Sequence, residues 1–432
     1  MNSGRADAWP PAFLALLIVA AALRFGYVLA YPQIPLCADC AVLPDYVMYD
    51  EVGRNLADGK GFVGGFAART YDPAAIVDPD VPEIGFGPVY PMLLGAVYAV
   101  AGHRVGAVRV VQAALSTLWL FPFFAIARWT FGASTALAAM AFAAVYPAFI
   151  VYSGMLLTET LSTTLMVTAI WAVLWAWRGG GAGRWALAGV VMGALILLRS
   201  EVLPLAAAVA ALAVWRRPER QTVWRLALYA AVIAAMMTPW VVRNFRLYHR
   251  VIAVSAHAGD TLWISVKGWT EWHPDDPEFL ALVRGRSYLE QQDAFHAAAV
   301  HEILSRPMEV AVTRLTRFPD FWLSGHTGYI VGLTESIADY RARGAFAAPV
   351  IKSALLALNT ALIVAGLIGI ARALTRPGTP PPGVLLLLAP IVCIAAVHVV
   401  MFAAPRYQVP IMPFLLMFAG ALWLHSPPVG AE

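Results

Sequence analysis

Long apolar runs joined by short connections dominate this chain and leave few folds open to it. About 17 to 25 apolar residues cross the hydrocarbon core of a bilayer as a helix, because a helix satisfies its own backbone polar groups there. Such runs lie near residues 10–31, 106–130, 135–152, 157–177, 185–199, 201–215, 224–243, 349–372, 384–403 and 408–425, two of them on the short side. The expectation is an all-α polytopic membrane protein with about ten transmembrane helices. The stretch PVYPMLLGAVYAVAG at 88–102 is shorter and broken by proline, so it reads as a half-length helix at the interface. Only 13% of residues are charged against 60% hydrophobic, which excludes an ordinary soluble domain. Fifteen Trp and fifteen Tyr suit a chain with many interfacial anchors. The first run lacks a small-residue cleavage site, so it reads as an uncleaved span.

Lys and Arg in short loops set the orientation. Arg128, Arg178, Arg184, Arg216, Arg217, Arg220, Arg225, Arg372 and Arg376 fall in alternate loops, whereas the opposite short loops carry only Arg199 and Arg406. Both termini are then expected in the cytoplasm of a cell whose plasma (inner) membrane holds the protein. Residues 1–31 form a first span and 106–243 a six-helix bundle. Residues 349–432 hold the C-terminal spans. Segments 32–105 and 244–348 lie on the extracytoplasmic side, the first a loop dense in polar residues and the second a small helical cap. Within the cap, YLEQQDAFHAAAVHEILSRPMEVAVTRLTRFPDFW reads as two amphipathic helices divided by Pro307.

Several familiar chemistries find no support. The net charge of +4 is dispersed among arginines and does not suggest nucleic acid. The GGGAG run at 179–183 is a flexible turn, without a Walker pattern or a strand before it. Cys37 and Cys40 form a CADC pair without a second CxxC, so a local disulfide or two thiols is expected rather than zinc. Six of nine histidines fall in 244–348, among them His257, but no HExxH motif occurs.

The carboxylates at the outer ends of spans are more informative. A helix over 45–56 puts Asp45, Met48, Tyr49, Val52 and Leu56 on one face, and Asp45 is the acid on that face. Asp50 and Glu51 fall on the other, spaced to pair with Arg54. Asp45 also reads as a helix N-cap after Pro44. Glu159, flanked by Thr158 and Thr160, stands at the mouth of two spans, where an ionisable residue is costly unless paired, snorkelling or functional. Arg199 and Glu201 occupy a connection of almost no length and are able to neutralise each other. Arg243 and Arg406 stand at outer span ends, as anchors or as an anion site, since guanidinium groups bind phosphate bidentately.

In their order along the chain, DYVMYDEVGRNLADGKGF, PVYPMLL, YSGMLLTE, LRSE, PWVVRN and RYQVPIMP resemble the GT-C glycosyltransferases. The likeness is to the branch of protein O-mannosyltransferases and the bacterial lipid A aminoarabinose transferase. It implies a multispan fold, an extracytoplasmic site, and a polyprenyl-phosphate-linked sugar as donor. By position it assigns Asp45 as the catalytic acid of the first loop and Glu159 as that of the second, with Asp50 beside them. Arg243, Arg406 and Arg199 correspond to the donor phosphate, and Tyr49, Glu201 and Tyr407 to substrate contacts; His257, outside these motifs, is a further candidate substrate contact from the 244–348 segment. One departure stands out: the aminoarabinose transferase has a lysine before its proline-aromatic run, where EIGFGPVYP offers Glu83. Lys60 and Lys267 are the lysines left to replace it, and neither is placed by motif.

The implied chemistry is displacement at the anomeric carbon, with Asp45 as general base and the arginines or a divalent cation, Mg²⁺ or Mn²⁺, neutralising the departing phosphate. Alternatively Asp45 and Glu159 are the oxygen ligands for that cation, so Asp45 reads as either general base or metal ligand. The alternatives are a lipid or amphiphile transporter or flippase, against which the lack of a two-half repeat counts, and a non-catalytic scaffold of the same fold.

Overall fold

The computed structural model describes residues 9–31, 45–269, 273–323 and 325–422. Cys37, Cys40 and Pro44 lie outside them. The chain enters through α1 (Pro11–Ala30), and a first loop follows with α2 (Asp45–Ala57), α3 (Gly65–Arg69) and α4 (Val89–Ala101). The central bundle is α5 (Val105–Leu118), α6 (Leu120–Phe131), α7 (Ala133–Val145), α8 (Pro147–Tyr152), α9 (Glu159–Gly179), α10 (Ala182–Leu198), α11 (Leu203–Arg216) and α12 (Arg220–Tyr248). A cap contains α13 (Ala258–Lys267), α14 (Pro277–Val283), α15 (Tyr288–Ser305), α16 (Pro307–Trp322), α17 (Thr327–Val331) and α18 (Ile337–Ala342). The chain then returns through α19 (Ala347–Leu374), α20 (Pro382–Val400), a 3₁₀ segment Pro405–Ile411 and α21 (Met412–Gly420). Among the described residues the only β pairing is an isolated bridge between Val63 and Pro82.

Among the described residues, six helical stretches are long and apolar enough to cross a membrane: Pro11–Ala30, Val105–Phe131, Glu159–Gly179, Arg220–Tyr248, Ala347–Leu374 and Pro382–Val400. The other expected spans are shorter helices, and punctuation in the sequence is the reason. The run 135–152 divides at Tyr146, whose extended backbone precedes Pro147, because the proline ring disfavours the helical conformation in the residue before it. The break strands the last carbonyls of α7, and Arg24 of α1 takes them up. This fully buried guanidinium donates to Ala143 O at 3.1 Å, Ala144 O at 3.0 Å and Ser116 Oγ at 2.9 Å. An arginine at that depth is tolerated because every partner is supplied by protein.

Small residues let the first loop lie close to the bundle, since packing rather than hydrophobic expulsion draws helices together in lipid. On α2, Gly53 presses against α4, where a Cβ would stand 2.6 Å from the Leu94 Cβ. The expected amphipathic face of α2 holds: Met48, Tyr49 and Val52 are buried. The cap has a small core of its own in Trp263, Val266, Phe279, Val283, Phe295 and Ala299. It is tied to the first loop by Tyr71, whose hydroxyl donates to Asp260 at 2.6 Å and whose amide donates to Gln291 Oε1 at 2.9 Å.

Candidate active site

Distant chain segments deliver charged side chains to one place. Asp45 comes from the first turn of α2, which Tyr49 anchors through ring contacts with Phe86 and Tyr90 at 4.8 and 4.9 Å. Glu159 opens α9, where the helix dipole favours an anion. Its approach is held from α5: Arg109 donates to Gly154 O at 2.7 Å, and Gln112 to Met155 O at 2.6 Å and Ser153 O at 3.2 Å. Gln112 accepts in turn from the Tyr90 hydroxyl at 2.7 Å, so one residue links the supports of Asp45 and Glu159. Arg199 and Glu201 occupy the tight turn between α10 and α11. Arg406 and Tyr407 come from the 3₁₀ segment, which packs on α9.

The result is a chain of alternating charge. Asp45 Oδ2 accepts from Arg406 Nη1 at 2.6 Å, and Arg406 Nε is 3.9 Å from Glu159 Oε1. Glu159 Oε1 is 3.6 Å from Arg199 Nη2, and Arg199 Nε is 3.3 Å from Glu201 Oε1. Tyr407 lies against both guanidiniums, at 5.0 Å from Arg199 and 5.1 Å from Arg406. Glu159 is 1% exposed, yet among the described residues neither of its oxygens has a hydrogen-bond partner. Both cations stand beyond hydrogen-bonding range, so this buried carboxylate is an open acceptor facing the cluster. A lone buried anion would be expensive, and the two loose cations offset that cost.

Burial alone would push the Asp45 carboxyl up, but the Arg406 guanidinium, aided by His257 and Arg199, holds it below the usual carboxylate range. His257 is under the opposite pull. Burial lowers it, but Asp260 at 3.0 Å prevails and raises it. Its ring also meets the Tyr288 hydroxyl at 3.2 Å and Phe66 at 5.2 Å between centroids.

Of the residues singled out from the sequence, Asp45, Glu159, Arg199, Glu201, Arg406 and Tyr407 come together. Tyr49 and His257 stand close enough for Asp45's charge to shift both. Asp50 and Arg243 are not brought in. Asp50 accepts from the Tyr98 hydroxyl at 2.5 Å and faces His103 Nε2 at 3.0 Å, while Glu51 pairs with Arg69 and accepts from Gly65 N at 3.1 Å. The expected pairing of both acids with Arg54 gives way because the loop folds back and offers closer partners. Arg243 donates to Glu83 O at 2.9 Å, Phe62 O at 3.0 Å and Asn244 Oδ1 at 2.9 Å, with Trp240 beneath it at 4.5 Å. It fastens the first loop to α12. Lys60 and Lys267 are spent on Asp58 at 4.0 Å and Glu278 at 2.5 Å.

The two carboxylates expected to hold a cation have Arg406 beside them, at 2.6 Å from Asp45 and 3.9 Å from Glu159. Among the described residues no three His, Cys, Asp or Glu side chains group as metal ligands.

The sequence reading passed over several residues. Tyr152 and Tyr329, with ring centroids 5.4 Å apart, sense both Arg406 and Glu159, and no local motif marks Tyr329. Gln408 is fully buried with no partner among the described residues for its amide, although it stands inside the RYQVPIMP motif. Beside His398, whose ring is 4.7 Å from that of Tyr407, a cavity of about 680 Å³ opens between α13, α16 and the stretch from His398 to Pro405.

Residues 80–242 match the family model described as dolichyl-phosphate-mannose-protein mannosyltransferase. No curated protein matches the chain. Among solved structures, the apo oligosaccharyltransferase of Archaeoglobus fulgidus aligns with 94% of this chain and 50% of its own, at 13% identity and a TM-score of 0.56. The oligosaccharyltransferase AglB of the same organism, in complex with an inhibitory peptide and a dolichol-phosphate, aligns with 95% of this chain and 50% of its own, at 15% identity and a TM-score of 0.54. The chain thus spans about half the length of those enzymes. The motif resemblance is therefore met by a partial sequence match and by the fold: the chain is a multi-pass membrane protein with the fold of the GT-C glycosyltransferases.

Proposed function

We propose that the protein is an extracytoplasmic glycosyltransferase that moves a sugar from a polyprenyl-phosphate carrier to an acceptor hydroxyl. The observation that carries this reading is the charge chain from Asp45 through Arg406, Glu159 and Arg199 to Glu201. Support comes from the match to a mannosyltransferase family and from the capture of a dolichol-phosphate by a protein of the same fold.

In the resting state Arg406 keeps Asp45 ionised but weakly basic. An arriving phosphate competes for Arg406, and as that cation turns to the phosphate Asp45 loses its partner and its basicity rises. The acceptor hydroxyl gives its proton to Asp45 as its oxygen bonds to the anomeric carbon. The bond from that carbon to the phosphate oxygen breaks, and polyprenyl phosphate leaves as an anion neutralised by Arg406 and Arg199. Glu159 accepts a hydrogen bond from a sugar or acceptor hydroxyl, which satisfies its open oxygens. On this reading the cluster faces away from the cytoplasm of a plasma-membrane protein, with both termini inside.

The test uses purified protein and polyprenyl-phosphate sugars, with release of polyprenyl phosphate as the readout, with and without EDTA. Release that depends on Asp45 and survives EDTA is expected. Undiminished release by a folded Asp45→Asn variant would sink the assignment, and sugar-lipid movement across liposomes without release would favour a transporter.

A further inference from the structure

The arginines expected to meet a phosphate are largely occupied in the structure: Arg243 by carbonyls, Arg406 by Asp45, Arg199 by Glu201. Arg314 of α16 is different. It lines the cavity beside His398, and its Nη2 is buried without a hydrogen-bond partner among the described residues. Burial alone pushes its guanidinium down to about 10, with no anion close enough to pull it back. A half-buried cation whose Nη2 is buried with an unmet donor carries a desolvation cost that an oxyanion would relieve.

Its surroundings suit such a guest. Arg317, one turn further on, borders the same cavity and is held only loosely by Asp320, at 3.8 Å. Asp320 also borders the cavity, so an anion would have to stand toward Arg314 and away from it. The hydroxyls of Ser265, Thr334 and Ser336 line the wall, together with the apolar Leu323, Val399, Met401 and Phe402. The opposite face of α16 is exposed and apolar, with Met308 76% and Leu315 65% accessible and Val312 between them. A helix with an exposed apolar stripe outside and arginines inside lies naturally at a lipid surface, its charged face turned toward headgroups that slip beneath it. His398, which borders the cavity, lies 4.7 Å from the Tyr407 ring, and that ring lies 5.1 Å from the Arg406 guanidinium.

We infer that the cavity beneath α16 binds the phosphate headgroup of a lipid, with Arg314 as the principal donor and Arg317 as the second. The choice of polyprenyl phosphate as that lipid rests on the donor reading above. The inference adds to that reading a headgroup site on the cap helix, distinct from Arg406 and Arg199, which neutralise the phosphate during transfer.

The experiment measures binding of undecaprenyl phosphate, undecaprenol and inorganic phosphate to the full chain in an uncharged detergent. Undecaprenyl phosphate should bind roughly tenfold or more tightly than undecaprenol, the ratio expected of one charge-assisted hydrogen-bonded pair. Arg314→Gln should lose that advantage, Arg314→Lys should keep part of it, and Arg286→Gln, an exposed control in the cap, should keep it all. Unchanged affinity in Arg314→Gln, or equal binding of the phosphate and the alcohol, overturns the proposal. Inorganic phosphate that binds as tightly as the lipid overturns its lipid part. If Arg314→Gln does not fold, Arg314→Lys and Arg317→Gln are judged by the same ratio. Transfer by wild type with an unchanged donor KM in Arg314→Gln would refute this site and leave the transferase reading standing. Arg314-dependent binding without transfer to any acceptor would do the reverse.

Discussion

Single residues carry the sharpest consequences. With Asp45 as the base, Asp45→Asn should lower kcat by roughly 10² to 10⁴, the usual range for general-base catalysis, while melting in detergent stays close to wild type. Asp45→Glu should recover part of the rate. Glu83 gives a pH prediction of another kind. It is fully buried, and burial drives its carboxyl up to about 7 although Ala67, Ile84 and Gly85 donate to it. Its folded pKa thus exceeds the unfolded value of 4.5, so the ionised form is the one the fold disfavours. The fold is free of this penalty below the unfolded value and loses stability as pH rises through about 7, reaching a cost on the order of 3 kcal/mol. Melting temperature should therefore fall between pH 5 and 8 in wild type and less steeply in Glu83→Gln. Parallel slopes would refute the assignment.

At the scale of elements, the site depends on how tightly the first loop sits on the bundle. A Cβ at Gly87 would stand 2.0 Å from the carbonyl oxygen of Leu197, just before Arg199. Gly87→Ala should push the loop away from the end of α10, lowering both activity and melting temperature although the residue touches no substrate. Arg109→Gln should act similarly through the approach to Glu159, freeing Gly154 O at a cost of about 1–3 kcal/mol. Much of this level was legible beforehand. The apolar face of α2, the short helix after Pro88 and the division of the cap at Pro307 all follow from periodicity and proline placement. The partners of Asp50 and Glu51 were not, because His103 and Arg69 reach them only after the loop folds back.

On the scale of the molecule, the proposed orientation makes its own prediction. Reporter fusions should report both termini in the cytoplasm and insertions in the 277–287 region of the cap outside. A cap insertion reporting inside would invert the scheme and remove the cluster from an extracytoplasmic donor. The link between Tyr71 and Asp260 joins cap and first loop, so Asp260→Asn should make the cap more open to protease while the spans stay protected.

What the sequence determined by itself is the class and the cast: hydrophobic length forces spanning helices, sparse charge leaves few acids and arginines, and their order matches a family pattern. What only the tertiary structure decided is who meets whom. Asp45 and Arg406 lie 361 positions apart and touch, whereas Arg243, in an equally suggestive motif, is taken by backbone carbonyls. Arg314 lay in no motif at all, and its unmet donor lines a cavity built from segments as far apart as Ser265 and Pro405. A side chain's type can be read along the chain. Its solvation and its partners are set by the packing of distant segments, and those are what determine charge state and chemistry.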